Sequence, residues 1–251
     1  QPDCFGGHVC ITVDTVFGGV GGYSFETPSG LSVDIDSCIS VFAGPATFIV
    51  TDSAGCGITL MLDIDQPGEI VVDAGPDVMI DLGESTDAIS LSIISEIDVD
   101  TITWTPSTDI ECNTTDCQIV TFSPFVDTDY LVTVLDENGC EGSDNITILV
   151  DQSRKVFFPN IFSPNLDNRN DFFQLATGSG VTSVNFLKIY DRWGNLLYID
   201  ESYMPNDMEH IGWDGSRNGK EVDAGVYVYI AEVTFVDGAT VRYTGDITVV
   251  K

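Results

Sequence analysis

The sequence predicts an all-β protein: three consecutive small antiparallel β-sandwich domains of the immunoglobulin-like kind. Three observations predict it. Apolar and polar residues alternate with period 2 in runs such as VNFLKIY, VYVYIAEVTF and TVRYTGDITVV, the spacing that buries one face of a strand. Shorter runs of the same kind recur through the middle of the chain at the intervals of a β-sandwich. The 251 residues, 43% of them apolar, exceed one typical domain and suffice for two or three small cores.

The first domain is expected over residues 1–67. VCITV and ATFIVTD read as strands, separated by the Gly-rich GGVGGY. The stretch 18–22 has no following helix and no Lys, so it is a turn and not a phosphate-binding loop. So small a unit has a marginal core, which two disulfides among Cys4, Cys10, Cys38 and Cys56 would reinforce. Three pairings are open.

Gln66-Pro67-Gly68 reads as a linker, and the second domain follows over residues 68–152. Its strands are AISLSII, TITWTP, QIVTFSP, YLVTVLD and NITILV. Trp104 lies mid-strand, where an immunoglobulin-like core places its tryptophan, and Tyr130 opens a strand as the tyrosine corner of such folds does. Two residues after Tyr130 comes Val132, so the usual inter-sheet disulfide is missing. Cys112 and Cys117 are close enough in sequence to pair, and an odd count of seven leaves at least one thiol unpaired.

Gln152-Ser153-Arg154 forms a second linker into the third domain, residues 153–251. Linkers this short should hold neighbouring domains end to end. Asp237-Gly238 between two alternating runs predicts a two-residue hairpin with both turn positions at positive φ. The closing strand, Val241 to Lys251, should turn Val241, Tyr243, Ile247 and Val249 inward, with an irregularity at Gly245, and so tie the C-terminus into the sheet.

The charge is uneven. All nine Lys and Arg lie at or after Arg154, whereas residues 1–153 hold 27 of the 40 acids and no base. Phosphate binding needs cationic side chains to displace counterions, so nucleic acid and anionic lipid are excluded as partners of residues 1–153. Seven cysteines in small β units indicate an oxidising compartment. No CxxC spacing occurs, and only His8 and His210 could assist, which argues against zinc. No apolar run is long enough to cross a bilayer, and no charged-then-apolar leader precedes Gln1. Since a secreted protein needs a leader, the chain is expected to be the C-terminal part of a longer one.

Several motifs of the third domain carry a family resemblance. FFPNIFSPNLDNRND resembles the opening of the gliding motility-associated C-terminal domain, the type B sorting signal of the type IX secretion system of Bacteroidetes. YDRWGNLLY resembles its RWG strand, GWDG its central turn, and GVYVYIAEV with YTGDITVVK its closing hairpin. The residues matching these motifs are Pro159, Asn160, Arg192, Trp193, Gly194, Trp213, Asp214, Gly215, Tyr227 and Gly245. The resemblance implies a surface protein exported by the type IX translocon and held at the outer membrane by a PorP/SprF-like β-barrel protein. CFGGHVCITV, GGVGGYSF and FIVTDSAGC resemble the SprB-type repeat of Bacteroidetes adhesins, whose first and last cysteines close the unit, implying Cys4–Cys56 and Cys10–Cys38. AGPDVMIDLGES and DTDYLVTVLDENGC are similar to the Ig-like or PKD-like modules stacked in such adhesins, where the cysteine of ENGC meets one near the AGPDV strand; this chain has Asp81 there, so the resemblance implies Cys140 as the odd thiol. The whole then resembles the stalk end of a gliding-motility or adhesion protein.

Candidate sites are few. Asn165, Asp167, Arg169 (through its carbonyl) and Asp171 alternate as oxygen donors do in the first half of a calcium loop, making structural Ca2+ the one candidate cofactor. No bidentate Glu follows, and Asn/Asp loops are ordinarily turns whose side chains bond their own backbone. Acid pairs at i, i+2, namely Asp34/Asp36, Asp63/Asp65, Asp98/Asp100 and Asp127/Asp129, put both carboxylates on one strand face, usually a solvated one. Trp193 and Trp213 could form a sugar-stacking platform, although their settings favour core and turn packing. Asp14-Thr15-Val16, Asp52-Ser53-Ala54 and Asp100-Thr101-Ile102 resemble a short O-glycosylation motif of Bacteroidetes. No nucleophile elbow, metalloprotease helix or Cys/His pair is present, so a non-enzymatic protein is expected; paired carboxylates alone would keep a glycosidase formally open.

Overall fold

The computed structural model describes residues 1–27, 30, 32–33, 37–204 and 212–251; the acid pair Asp34/Asp36 and His210 lie outside them. All regular structure among the described residues is β. The protein is an all-β chain of small sandwich-type units, and every strand pairing falls within residues 1–67, 68–152 or 153–251.

In the first unit β1 (His8–Ile11) pairs with β4 (Ile39–Phe42). A second sheet joins β2 (Ser24–Glu26), β3 (Ser32–Val33), β5 (Gly44–Thr51) and β6 (Gly57–Ile64) in the order β3-β2-β5-β6. The alternation in β5 buries Ala46, Phe48 and Val50, the first two against Ile39 and Val41. The core is thin at its edge. Ile58, Leu60 and Leu62 of β6 stand opposite Val50, Phe48 and Ala46, yet remain 60%, 42% and 43% exposed.

The second unit contains β7 (Val71–Asp73), β8 (Val78–Asp81), β9 (Ile89–Ser90), β10 (Ser92–Ile94), β11 (Val99–Thr105), β12 (Ile110–Cys112), β13 (Ile119–Phe122), β14 (Thr128–Asp136) and β15 (Glu141–Asp151). Its main sheet runs β11-β14-β15-β8 and faces β12-β13-β9 across a core that includes Trp104, Phe122, Tyr130, Val132 and Ile146. Trp104 pairs across strands with Val132 and donates from Nε1 to the Cys117 carbonyl at 3.2 Å. Where a disulfide would otherwise cross the sandwich, Val132 fills the space with none of its surface exposed. The Tyr130 hydroxyl donates to the Thr108 carbonyl, 22 residues upstream, and so pins the β11–β12 connection rather than its own corner. Burial, then the Asp109 charge, pushes this phenol up to about 12.

The third unit holds β16 (Val156–Phe157), β17 (Ile161–Phe162), β18 (Ala176–Thr177), β19 (Val181–Tyr190), β20 (Leu196–Tyr203), β21 (Ser216–Arg217), β22 (Lys220–Glu221), β23 (Gly225–Phe235) and β24 (Thr240–Val249). Its five-stranded sheet runs β17-β24-β23-β19-β20, so the strand that closes the chain lies inside the sheet with partners on both sides.

Several expectations need correction. The pairing is not antiparallel throughout: β8 runs parallel to β15 and β17 parallel to β24. Alternation encodes which face is buried and not which way a neighbour runs, so the sequence could not show this. The hairpin at Asp237-Gly238 spans residues 236–239, and of its two named positions Gly238 alone has positive φ. Its closure is a Gly238 amide to Phe235 carbonyl bond, with the Phe235 amide reaching Ala239. Gly245 causes no irregularity, since the β23–β24 register runs through it unbroken. It is glycine because Tyr229 lies opposite, and a Cβ there would come within 2.5 Å of the phenol oxygen.

The disulfides are Cys4–Cys140, Cys10–Cys38 and Cys112–Cys117, and Cys56 is free and exposed. The expected Cys4–Cys56 bridge and the assignment of Cys140 as the odd thiol are therefore both overturned. The cause is the path of the N-terminal segment, which leaves its own sheets and lies on the second unit. Cys4 packs against that unit's core, and Cys140 Sγ sits 3.2 Å from the Asp3 carbonyl. No strand pairing crosses residue 67, but the Cys4–Cys140 bond joins the first unit to the second and so overturns the expectation that the first unit's cysteines pair only among themselves.

The second and third units meet in a tight joint. A Cβ on Gly83 would lie 2.7 Å from the Gly180 Cα, and one on Gly180 would lie 2.7 Å from the Leu82 carbonyl, so only glycines permit this approach. Lys155 pairs with Asp81 across the joint, the contact that chiefly raises its ammonium above the ordinary lysine range. Arg154 grips Asp237 with two guanidinium bonds at 3.1 and 2.5 Å and covers the Phe235 ring.

Candidate functional site

The aromatic residues of FFPNIFSPNLDNRNDFF build the centre of the third unit. Phe158 stacks on Tyr229 at 4.5 Å, while Phe162 lies 5.5 Å from Trp213, which meets Tyr227 edge-on at 5.5 Å. Trp213 is completely buried; its Nε1 donates to the Ser216 carbonyl at 2.8 Å, and its backbone exchanges two hydrogen bonds with Phe173. Gly212 and Gly215 hold this turn at φ +87 and +73, and Pro164 fills the space where a Gly215 side chain would stand. Tyr227 is half-buried and donates to the Asp223 carbonyl. Trp213, Gly215, Tyr227 and Gly245 are therefore parts of the core and its turns.

The other motif residues lie on the surface. Arg192, Trp193 and Gly194 form a hairpin tip between β19 and β20, not a strand as the RWG resemblance implied. Asp191 organises the tip: its Oδ1 accepts the amides of Trp193 and Asn195, each at 2.9 Å. The Asn195 side chain, bonded to the other oxygen, is the main reason this carboxyl is held below the usual range. Trp193 is 82% exposed, against the expectation that it packs inside. A turn that needs Gly194 at φ +81 projects the preceding side chain away from the sheet, where no core is in reach. The two tryptophans therefore form no platform. Asp214 accepts the Ser216 amide at 2.9 Å, and exposed Pro159 and Asn160 lead into β17, the Asn160 carbonyl taking the Thr248 amide.

The Asn165–Asp171 loop is organised around its last carboxylate. Asp171 is buried and accepts the amides of Asn165, Leu166 and Asn168, with Leu166, Asn168 and Asn170 at positive φ. Asn165 and Asp167 accept the amides of Asp167 and Arg169 in turn. The Asn165, Asp167 and Asp171 oxygens proposed for calcium are directed onto backbone amides, which is the chemistry of a turn. Among the described residues no three His, Cys, Asp or Glu side chains are grouped to hold a metal. The acid pairs are likewise engaged or solvated. Asp127 and Asp129 accept from the Val150 amide and the Thr147 hydroxyl, and Asp63 and Asp65 are exposed. Asp98 and Asp100 border an open groove of about 510 Å³ in the second unit.

Of the glycosylation-like tripeptides, Asp52-Ser53-Ala54 lies in the β5–β6 hairpin, its Ser53 hydroxyl donating to the Val20 carbonyl.

One surface was not singled out in the sequence. The face of the five-stranded sheet turned from the core carries Val226, Val228, Leu196 and Ile199, all between 41% and 51% exposed, with Lys188 and Arg242 over the Phe186 ring. The signal was present in GVYVYI, which is apolar at successive positions and not only at alternate ones.

Residues 156–249 match the CHU_C type IX secretion signal domain. No curated protein sequence matches the chain. Among solved structures, Drosophila N-cadherin EC1-4 is similar at 12% identity and TM-score 0.31, covering 100% of this chain and 72% of that one. Latent PorU of Porphyromonas gingivalis is similar at 11% and 0.27, covering 99% of this chain, which spans 29% of PorU. SGBP-B of Bacteroides ovatus, solved with a mixed-linkage heptasaccharide, is similar at 12% and 0.25, covering 100% and 66%. A type IX secretion signal at residues 156–249 indicates interaction with that secretion system and export to the cell surface or extracellular space. No helix among the described residues is long and apolar enough to cross a membrane.

Proposed function

We propose that the third unit is read by the type IX machinery as a folded object and is then held at the outer membrane by a PorP/SprF-like β-barrel protein. The first and second units form the non-catalytic stalk of a surface adhesin serving gliding or adhesion. One observation carries this reading: the matched segment 156–249 coincides with a self-contained sheet in which β24, the end of the chain, lies between two other strands. Such a signal exists only while the unit is folded. The hairpin tip with Arg192 and Trp193 and the apolar outer face of β23 offer the exposed side chains a partner could grip.

The test is truncation of residues 242–251. Ile247 and Val249 are fully buried or nearly so, a loss of about 1.5–3 kcal/mol each, and the cut also divides the five-stranded sheet. That approaches the whole stability of a domain, about 5–15 kcal/mol. The truncated chain is expected to stay inside the cell, and residues 155–251 fused to a periplasmic reporter are expected to carry it to the surface. Surface display of the truncated chain, or a fusion left periplasmic in a host with the complete system, overturns the reading.

A second reading, a glycan-binding module, is favoured by exposed Trp193 beside Arg192. Reproducible glycan-array binding that Trp193→Ala abolishes without unfolding the unit would support it in place of the first.

A further inference from the structure

We infer that the Cys4–Cys140 bridge is a mechanical bypass, which removes the first unit and most of the second from any tension applied along the chain. The inference rests on covalent connectivity. The bridge joins residues 136 apart in sequence, so everything from Phe5 to Gly139 is a closed loop hanging from it. Cys140 ends the Asp136–Cys140 hairpin and leads directly into β15. Force entering through Gln1–Asp3 reaches Cys4, crosses the two sulfurs to Cys140, and continues along β15 to Asp151 and the third unit.

Two features make this path stiff. β15 is an extended strand of 11 residues, and a strand at about 3.3 Å per residue is already close to the limit of about 3.6 Å. It also lies inside its sheet, bonded to β14 on one side and β8 on the other, so it is held in that extended form. Beyond it, the joint at Gly83 and Gly180 leaves little slack before the third unit.

What the bypass protects is the part least able to bear load. In a chain pulled in series the weakest unit opens first, and among the described residues the first unit's core is thin, with three apolar side chains of β6 about half exposed. With the bridge closed, that unit feels no tension. Cys10–Cys38 and Cys112–Cys117 both lie inside the closed loop and take no part in the path. That such tension arises in use rests on the surface role proposed above. The mechanical claim does not, and a failed export test would leave it standing.

The experiment is single-molecule stretching of the purified, oxidised chain held at its two ends. Fully stretched, it should be shorter by about 450–490 Å than the same chain after thiol reduction, the length of the 136-residue loop at about 3.3–3.6 Å per residue. The double variant Cys4→Ser/Cys140→Ser, stretched without reductant, should regain about 340–370 Å, because the bridges spanning 28 and 5 residues stay closed. If the oxidised wild-type chain reaches its full reduced length, or if reduction lengthens it only by the two small loops, the bypass does not exist. Comparing wild type before and after reduction keeps the test decisive even if the variant folds poorly.

Discussion

Two hairpins with nearly the same turn, Asp52-Ser-Ala-Gly-Cys56 and Asp136-Glu-Asn-Gly-Cys140, end with their cysteines in opposite states. The local chemistry is shared. In each, the glycine amide closes on the aspartate carbonyl, the aspartate amide reaches the cysteine carbonyl, and Oδ1 accepts the amides two and four residues on. Asp191-Arg-Trp-Gly-Asn195 in the third unit repeats the pattern with Asn in place of Cys. Yet Cys140 is bonded to Cys4, and Cys56 is an exposed thiol. The turn fixes where each cysteine sits in its own hairpin. Which one finds a partner depends on which unit the N-terminal segment crosses, and that is a matter of domain placement.

Substitutions should break this comparison unevenly. The largest effect is expected for Cys140→Ser, since removing a native disulfide typically costs about 2–5 kcal/mol. A shift of the urea midpoint would measure it. Disulfide mapping of the same variant sharpens the point: Cys4 joined to Cys56 would show that the two turn cysteines compete for one partner. Next comes Asp136→Ala, which leaves two amides of a turn unpaired around a side chain only 4% exposed. A cost of about 1–3 kcal/mol is expected, read from the same denaturation curves.

Gly55→Ala and Gly139→Ala should then cost about 1–2 kcal/mol each, and equally. Both glycines sit near φ +80 with open space around the missing Cβ, so only the backbone conformation is penalised. Unequal losses would show that the two turns are not equivalent after all. Cys56→Ser closes the series at no more than about 0.5 kcal/mol; a loss as large as that of Cys140→Ser would contradict the assignment of Cys56 as the free thiol.

Acid should act on these turns from below the ordinary carboxylate range. Asp52 is held low first by the Val20 amide and then by Cys56, and Asp191 chiefly by Asn195. A carboxyl whose folded pKa lies under its unfolded value of about 3.9 stabilises the fold above that value, and the contribution is lost as pH falls through the lower, folded one. Stability measured from pH 7 downward should therefore stay level with respect to these groups until about pH 4 and fall below it. Asp52→Asn should flatten that fall. If Asp52→Asn left the fall below about pH 4 unchanged, the amide bonds to Asp52 would not be lowering its pKa.

Much of the fold was legible in the residues. Alternation marked β19, β23 and β24 as strands with one buried face, and Asp237-Gly238 marked the hairpin between the last two. For the candidate site the reading went half as far. Trp213, Gly215 and Tyr227 were found as motif residues, but nothing in GWDG and RWG told a buried tryptophan from an exposed one. The distinction arises because Trp213 follows a glycine that folds the chain back onto Phe173, whereas Trp193 occupies a hairpin tip beyond the sheet. The Asn165–Asp171 loop stood out by its alternating oxygens, but their direction was not legible, since a carboxylate that wraps a cation and one that gathers amides can have the same spacing.

By itself the sequence determined the all-β class, the positions of the strands, the local turn chemistry and the confinement of every Lys and Arg to the last hundred residues. These depend on periodicity, on backbone preferences at single positions and on composition, all of which are properties of neighbours along the chain. Tertiary structure alone decided the parallel neighbours β8 and β17, the glycine contact between the second and third units, and the bond from Cys4 to Cys140. Each of these brings together residues tens of positions apart, and their pairing is selected by which surfaces meet when whole units pack, a choice that no local pattern encodes.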